Sequence, residues 1–180
     1  HFIESAYIPD GERATLCVSS QAGCRMGCKF CATGRQGLQR SLTAAEILNQ
    51  IVSLPERDSL TNVVFMGMGE PLLNLKNVMR ALESLNNDKG LNFSPRRITV
   101  STCGIEKGLR ELGESGLAYL AVSLHAPTQE LRARIMPKAA RWPLEDLLQA
   151  LKSYPLKTRE RITFEYLLLG GVNDGLEQAR

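Results

Sequence analysis

The hydrophobic positions of the chain follow two patterns, one typical of buried strands and one typical of helices. Five short runs rich in β-branched and aliphatic residues predict strands, at residues 14–19, 62–67, 97–101, 117–124 and 161–169. Thr43 and Glu46 form a capping box, which predicts a helix that starts there and ends before Pro55. Apolar residues at helical spacing predict further helices at residues 75–85, 105–112, 128–136 and 143–151.

Predicted strands and helices therefore alternate along the chain. This order predicts an α/β fold with a parallel sheet, either doubly wound or closed as a whole or partial barrel. In both architectures ligands bind at the carboxyl ends of the strands. Each predicted strand is followed by a polar or glycine-rich signature, in order a cysteine loop, Gly67-Met-Gly-Glu70, Ser101-Thr-Cys-Gly104, Ser123-Leu-His125 and Gly170-Gly-Val-Asn173.

The composition is that of an ordinary globular domain. With 180 residues and 43% hydrophobic residues, the chain can bury a full core as one domain. It has no apolar run of the roughly 18 residues that a membrane span needs, and no charged-then-apolar leader opens it, so we expect a cytoplasmic protein with no membrane partner. It begins with His1 and not with Met, so we also expect an excised piece of a longer protein.

The charge is mild but unevenly distributed. The net charge of +3 does not by itself indicate a polyanionic partner. Residues 132–161 carry an excess of basic side chains, which fits either a phosphate-binding face or, by preference, two solvated helices.

The five cysteines are Cys17, Cys24, Cys28, Cys31 and Cys103. An odd number with three of them in eight residues does not suit a secreted disulfide framework, so metal or redox chemistry is the better interpretation. The segment Cys24-Arg-Met-Gly-Cys28-Lys-Phe-Cys31 places three thiols on one tight loop, which Gly23 and Gly27 allow to fold closely. Three ligands would leave one iron of a four-iron cluster open, whereas an electron-transfer cluster normally has four cysteines and a structural zinc site needs a fourth ligand.

This cysteine spacing, with Phe30 just before the last cysteine, resembles the signature of the radical S-adenosylmethionine superfamily. The resemblance implies a partial (β/α) barrel, a [4Fe-4S] cluster held by Cys24, Cys28 and Cys31, and S-adenosylmethionine bound at the open iron. A reduced cluster would cleave this cofactor to give a 5′-deoxyadenosyl radical. An electron donor such as flavodoxin or ferredoxin is then also implied.

The surrounding sequence narrows the resemblance to the RNA adenine methyltransferases of this superfamily. The matching segments are Cys17-Val-Ser-Ser-Gln-Ala-Gly-Cys24, Phe30-Cys31-Ala-Thr-Gly34, Gly67-Met-Gly-Glu70-Pro71-Leu and Gly171-Val-Asn173-Asp. These enzymes methylate carbon 2 of an adenosine in 23S rRNA and, in many members, in tRNA. Pro71 favours them over a sister group that methylates carbon 8 and confers antibiotic resistance. A glycyl-radical activase and a non-catalytic iron–sulfur module remain alternative hypotheses.

The resemblance also implies roles for individual residues. Cys17 corresponds to the cysteine that resolves a covalent RNA–protein intermediate by forming a disulfide, and Glu4 to the base that removes the proton from C2. The residues that match S-adenosylmethionine contacts are Gly69, Glu70, Ser101, Ser123, Leu124, His125 and Asn173. Among these, we expect Gly69 to allow close backbone approach and Glu70 to pair with the cofactor's ammonium group. We assign no function to Cys103.

One departure from the family pattern affects the expected activity. The family's methyl-carrying cysteine should follow a sixth strand beyond Asn173, and the 180 residues contain no such cysteine. An amino-terminal RNA-binding extension is also absent. We therefore expect residues 1–180 to form an incomplete radical core that holds the cofactors but does not complete methyl transfer.

Overall fold

A computed structural model describes residues 2–178 and has eight strands and six helices within them. The strands are β1 (Ala6–Asp10), β2 (Arg13–Cys17), β3 (Gln21–Gly23), β4 (Leu38–Ser41), β5 (Asn62–Phe65), β6 (Ile98–Thr102), β7 (Tyr119–Ser123) and β8 (Thr163–Glu165). The helices are α1 (Ala32–Gln36), α2 (Ala44–Val52), α3 (Leu75–Asn86), α4 (Glu106–Ser115), α5 (Gln129–Ile135) and α6 (Leu144–Lys152). None of these helices is long and apolar enough to cross a membrane.

Six strands form the main sheet, in the order β1-β2-β5-β6-β7-β8. Strands β2 and β5–β8 are parallel, whereas β1 pairs with β2 in antiparallel register. A separate hairpin of β3 and β4 carries the start of the cysteine loop. The predicted α/β fold with a parallel sheet is confirmed, and the open strand order is that of a partial barrel. All five predicted strands are present, with β1 and the hairpin in addition.

The helices cover the sheet through the predicted apolar faces. Side chains of the parallel strands are buried against those of α2, α3, α4 and α6 in one continuous core. The predicted capping box is confirmed, because the Thr43 hydroxyl accepts from the Glu46 amide and the Glu46 carboxylate accepts from the Thr43 amide. Helix α4 ends at Gly116, which adopts a left-handed conformation with a φ of 61°. Pro143 lies at the N-cap of α6, one position before the predicted first turn.

Strand β8 is shorter than its sequence pattern predicts. Of residues 161–169 only Thr163–Glu165 pair with β7, and Leu168 is 70% exposed. Because β8 is an edge strand, its apolar residues have a neighbour on one side only. Beyond Glu165 the chain turns over the carboxyl edge of the sheet, where the Asn173 Oδ1 accepts from the Leu169 amide at 2.6 Å.

Candidate functional site

The loop that carries three of the five cysteines starts from a very close backbone contact. Gly23 has a φ of 76°, and a Cβ atom there would lie 1.9 Å from the Gly37 carbonyl oxygen. The amide of Cys24 donates to the same oxygen at 3.0 Å. Only glycine fits at position 23, so this contact determines where the cysteine loop leaves the hairpin of β3 and β4.

The other two cysteines of the loop lie at the start of α1. Cys31 is its N-cap, and the Sγ atom accepts from the Gly34 amide at 3.4 Å. Gly34 packs on the backbone of Cys28, where a Cβ atom would lie 3.0 Å from the Cys28 nitrogen. The Lys29 amide donates to the Ile135 carbonyl at 2.9 Å, which ties the loop to the end of α5. Backbone contacts on both sides therefore fix the position of Cys28 and Cys31.

A cavity of about 160 Å³ lies at the carboxyl ends of the parallel strands. Its wall contains the three thiols of the loop and the signatures that follow β5, β6 and β7, as the strand-end rule predicts. The predicted site residues in this wall are Cys24, Cys28, Cys31, Gly69, Glu70, Ser101, Ser123 and His125. The remaining predicted residues, Glu4, Cys17, Leu124 and Asn173, lie outside it.

The three thiols are close enough to affect one another's ionisation. The pKa of Cys28 is raised to about 11, first by burial and then by the charges of Cys24 and Cys31. The pKa of Cys24 is also raised, mainly by burial. Because cysteine binds metals as the thiolate, a cationic centre among these side chains would offset both burial and repulsion. The donor set therefore suits a soft metal centre.

The arrangement suits a cluster better than a single ion. Thiols that share one ion lie within about 5 Å of each other, because each metal–sulfur bond is about 2.3 Å long. Within residues 2–178, no three or more histidine, cysteine or acidic side chains meet in this way. Each cysteine of a four-iron cluster binds a different iron, so its thiols surround a larger centre. Three thiols in the wall of one cavity fit this geometry.

Glu70 lies in the cavity wall, but neighbouring donors already use both oxygens of its carboxylate. The residue is 3% exposed. Its Oε1 accepts from the Leu72 amide at 3.1 Å and the Thr102 hydroxyl at 2.7 Å, and its Oε2 accepts from the Cys103 amide at 2.8 Å. These bonds join the segment after β5 to the end of β6. At Gly69, where φ is 104°, a Cβ atom would lie 2.6 Å from the Cβ atom of Gln21, so glycine allows this signature to pack against β3.

Glu165, the last residue of β8, is a site residue that sequence reasoning missed. Its Oε2 accepts from the Ser101 hydroxyl at 3.0 Å and from the Ser123 hydroxyl at 2.7 Å. The ends of three adjacent strands therefore meet on one carboxylate, and all three side chains line the cavity. In the sequence, Glu165 is a charged residue inside an apolar predicted strand. An exposed position on an edge strand gives the same pattern, so the sequence alone does not mark Glu165 as a site residue.

His125 is held in the cavity wall by an unusual backbone conformation, with a φ of 55°. Its Nδ1 accepts from the Leu167 amide at 3.0 Å, and its ring meets Phe30 edge-on with centroids 5.0 Å apart. Burial lowers the pKa of His125, so the ring is neutral at pH 7. With Nδ1 accepting, Nε2 carries the ring proton and is a hydrogen-bond donor.

Leu124 and Asn173 support this arrangement from behind the cavity wall. The Leu124 amide donates to the backbone carbonyl of Glu165 at 3.0 Å. Asn173 is 1% exposed, and its Nδ2 donates to the carbonyls of His125 and Leu167 at 2.8 and 2.7 Å. Both residues therefore position His125 and its neighbours, and neither side chain lines the cavity.

Strand β1 brings Glu4 close to Cys17. Because β1 runs antiparallel to β2, its amino end lies at the carboxyl end of β2, and Ala6 pairs with Cys17. The Glu4 carbonyl accepts from the Ser19 hydroxyl at 2.5 Å. Burial raises the pKa of Cys17, and the nearby charge of Glu165 raises it further. Glu4 and Cys17 therefore lie at the same edge of the sheet as the cavity.

Comparison with known protein families agrees with this geometry. The chain matches the Radical SAM superfamily over residues 18–179. It is also similar to a crystal structure of a radical SAM methyltransferase from Sphaerobacter thermophilus, with a TM-score of 0.93 and 45% sequence identity. That match covers 98% of this chain and 54% of the other.

Curated relatives give a consistent result. The chain is 64% identical over 191 residues to the dual-specificity RNA methyltransferase RlmN of Nitratidesulfovibrio vulgaris, covering 99% of this chain and 52% of the relative. It is 53% identical to the probable dual-specificity RNA methyltransferase RlmN of Bacteroides thetaiotaomicron over 180 residues, covering 100% and 52%. The chain thus spans about half the length of the curated relatives it matches. It belongs to the radical SAM superfamily, whose cofactors are a four-iron, four-sulfur cluster and S-adenosylmethionine.

Proposed function

We propose that the protein is a radical S-adenosylmethionine enzyme that methylates carbon 2 of an adenosine in 23S rRNA and in tRNA. Relatives at 51–65% identity, described as dual-specificity RNA methyltransferases, support this proposal. Pro71 supports carbon 2 over carbon 8, as the family resemblance implies. An electron donor such as flavodoxin or ferredoxin and a cytoplasmic location belong to the same proposal.

We assign the cluster to Cys24, Cys28 and Cys31, which line one cavity and crowd their charges together. The cluster with bound S-adenosylmethionine supplies a carbon-centred radical. The chain orients that cofactor through the backbone of Gly69 and the polar groups of the strand ends. Those in the cavity wall are Glu70, Ser101, Ser123 and His125, and those that support them from behind are Leu124 and Asn173.

The observation that carries the methyltransferase proposal is the position of Cys17 and Glu4 beside the cluster cavity. A radical activase or an electron-transfer module has no need for a further thiol and an exposed carboxylate beside the cluster ligands. Burial keeps Cys17 in the thiol form, so a base must take its proton before it attacks. Glu4 is exposed at the same edge of the sheet as the cavity, where it can accept a proton from a bound base of RNA.

We further propose that residues 1–180 are the core of a longer enzyme. The curated relatives are about twice as long, which leaves room for an RNA-binding extension and for a methyl-carrying cysteine. In this scheme the core cleaves S-adenosylmethionine by itself, whereas methyl transfer requires the full-length protein.

Nucleoside analysis tests this proposal. The full-length protein, with reduced cluster and S-adenosylmethionine, is incubated with transcripts of 23S rRNA fragments and of tRNA, and the digested RNA is analysed by mass spectrometry. We expect 2-methyladenosine from both RNAs, and cofactor cleavage without methylation from the 180-residue chain. Production of 8-methyladenosine would assign the protein to the sister group. Cofactor cleavage without any RNA methylation by the full-length protein would refute the proposal.

A further inference from the structure

Arg132, in α5, is the largest side chain that the fold buries completely. Its exposed fraction is 0%. The three ion pairs found in residues 2–178 all involve other arginines, so this buried guanidinium has no acidic partner at salt-bridge distance there. A buried charge is strongly unfavourable unless something nearby compensates it. The position therefore calls for a source of negative charge.

The direct partners of Arg132 are neutral. Its Nη1 donates to the carbonyls of Ser123 and Leu124 at 3.1 and 2.6 Å, and its Nη2 donates to the carbonyl of Cys103 at 2.5 Å. The Nε atom is buried without a hydrogen-bond partner among the described residues. These bonds clamp the ends of β6 and β7 together. These three bonds explain why a side chain with several N–H donors lies here. They do not explain why it is charged, because neutral donors could bind the same carbonyls.

The guanidinium lies directly behind the wall of the cluster cavity. Cys103 and Met136 separate the two, since both line the cavity and both contact Arg132 on their other side, the Met136 Sδ at 3.8 Å from Nη1. Burial lowers the pKa of Arg132, whereas the charges of Cys103 and Cys28 raise it. Cys103 connects Arg132 to Glu70, because its carbonyl accepts from Arg132 and its amide donates to the Glu70 carboxylate.

We propose that Arg132 is the built-in countercharge of the iron–sulfur cluster and raises its reduction potential. This inference rests on the proposed ligation by the three cysteines. Their thiolates bring three negative charges to the cavity, and reduction adds one electron to the cluster. A fixed positive charge in a site shielded from water favours the more negative, reduced state. The same side chain therefore shapes the strand ends and makes the electron needed for cofactor cleavage easier to accept.

Redox titration of the loaded chain, followed by electron paramagnetic resonance, tests this proposal. Arg132→Gln and Arg132→Met both remove the charge. Glutamine keeps an amide donor for the strand-end carbonyls, whereas methionine leaves the carbonyls of Ser123, Leu124 and Cys103 without their donor and adds no polar group of its own. Arg132→Lys keeps the charge but loses the planar fork. Arg134→Gln removes an exposed charge two residues away on the same helix and is the matched control.

We expect a more negative midpoint potential in both neutral variants and a value near that of the unchanged protein in Arg132→Lys and Arg134→Gln. If the neutral variants fail to load the cluster while Arg132→Lys loads it, the charge requirement is again supported. An unchanged potential in a loaded neutral variant, or loss of loading in Arg132→Lys as well, would reduce Arg132 to a structural clamp. Iron content measured in the same samples separates these outcomes from failure of the cysteine assignment, which would leave the unchanged protein without four irons.

Discussion

Replacing Glu70 with glutamine separates a structural role of this carboxylate from a direct role in cofactor binding. The carboxylate accepts three hydrogen bonds, from the Thr102 hydroxyl and from the amides of Leu72 and Cys103. Glutamine offers one acceptor oxygen. The Thr102 hydroxyl can rotate and accept from the new amide group, but the two backbone N–H groups point at different carboxylate oxygens and cannot both be satisfied. Whichever way the side chain is turned, one buried amide loses its acceptor.

An unpaired buried donor costs about 1–3 kcal/mol. For a chain of this size about 2 kcal/mol corresponds to a fall in Tm of about 4–8 °C. The measurement is thermal unfolding of the loaded protein without oxygen, with Glu83→Gln on the exposed face of α3 as a control that should change the free energy of unfolding by less than about 0.5 kcal/mol. A Glu70→Gln protein that is as stable as this control but binds S-adenosylmethionine more weakly would refute the structural role and indicate that the carboxylate binds the cofactor directly.

Three further predictions follow from particular contacts. The hydrogen bond from Arg40 lowers the pKa of Glu46 to about 2 from its ordinary 4.5. The stability that the ionised Glu46 contributes is therefore present above pH 4.5 and lost as the pH falls towards 2. Urea unfolding at several pH values should show that Glu46→Gln lacks this part of the acid dependence. Gly23→Ala should disrupt the cysteine loop and prevent cluster loading, whereas Gly170→Ala, where a Cβ atom meets nothing within 4 Å, should load normally. Cluster absorbance after anaerobic reconstitution should survive Cys103→Ala and be abolished by alanine at any one of Cys24, Cys28 and Cys31.

Local patterns predicted the central part of the fold well. The strands β2, β5, β6, β7 and β8 and the capped start of α2 follow from short-range periodicity and capping chemistry, which the sequence displays directly. Strand β1 was missed because it is short and largely exposed, so its side chains show no buried face. The extent of β8 was overestimated because an apolar run does not reveal whether a partner strand lies on both sides.

Contacts between distant residues account for what the sequence could not show. Glu165 receives hydrogen bonds from residues 42 and 64 positions earlier, and Arg132 reaches a carbonyl 29 positions away. In the sequence these residues look like ordinary surface charges. Glu70 differs from these two residues, because its glycine-rich signature did indicate the position of the site. Its carboxylate, however, accepts from the backbone amides of Leu72 and Cys103. Motifs thus located the site, and the packing of the strand ends decided what each side chain does.

The most direct test of the proposed mechanism is to search for covalently trapped RNA after Cys17→Ala replacement in the full-length protein. Without the resolving thiol, the RNA–protein intermediate should form and persist, while the cluster and cofactor cleavage remain intact. We predict a protein–RNA band that survives denaturing electrophoresis and disappears on ribonuclease treatment, and no such band from Cys103→Ala. A Cys17→Ala protein that turns over normally and traps no RNA would contradict the account, because it would reduce Cys17 to a core residue beside the cavity.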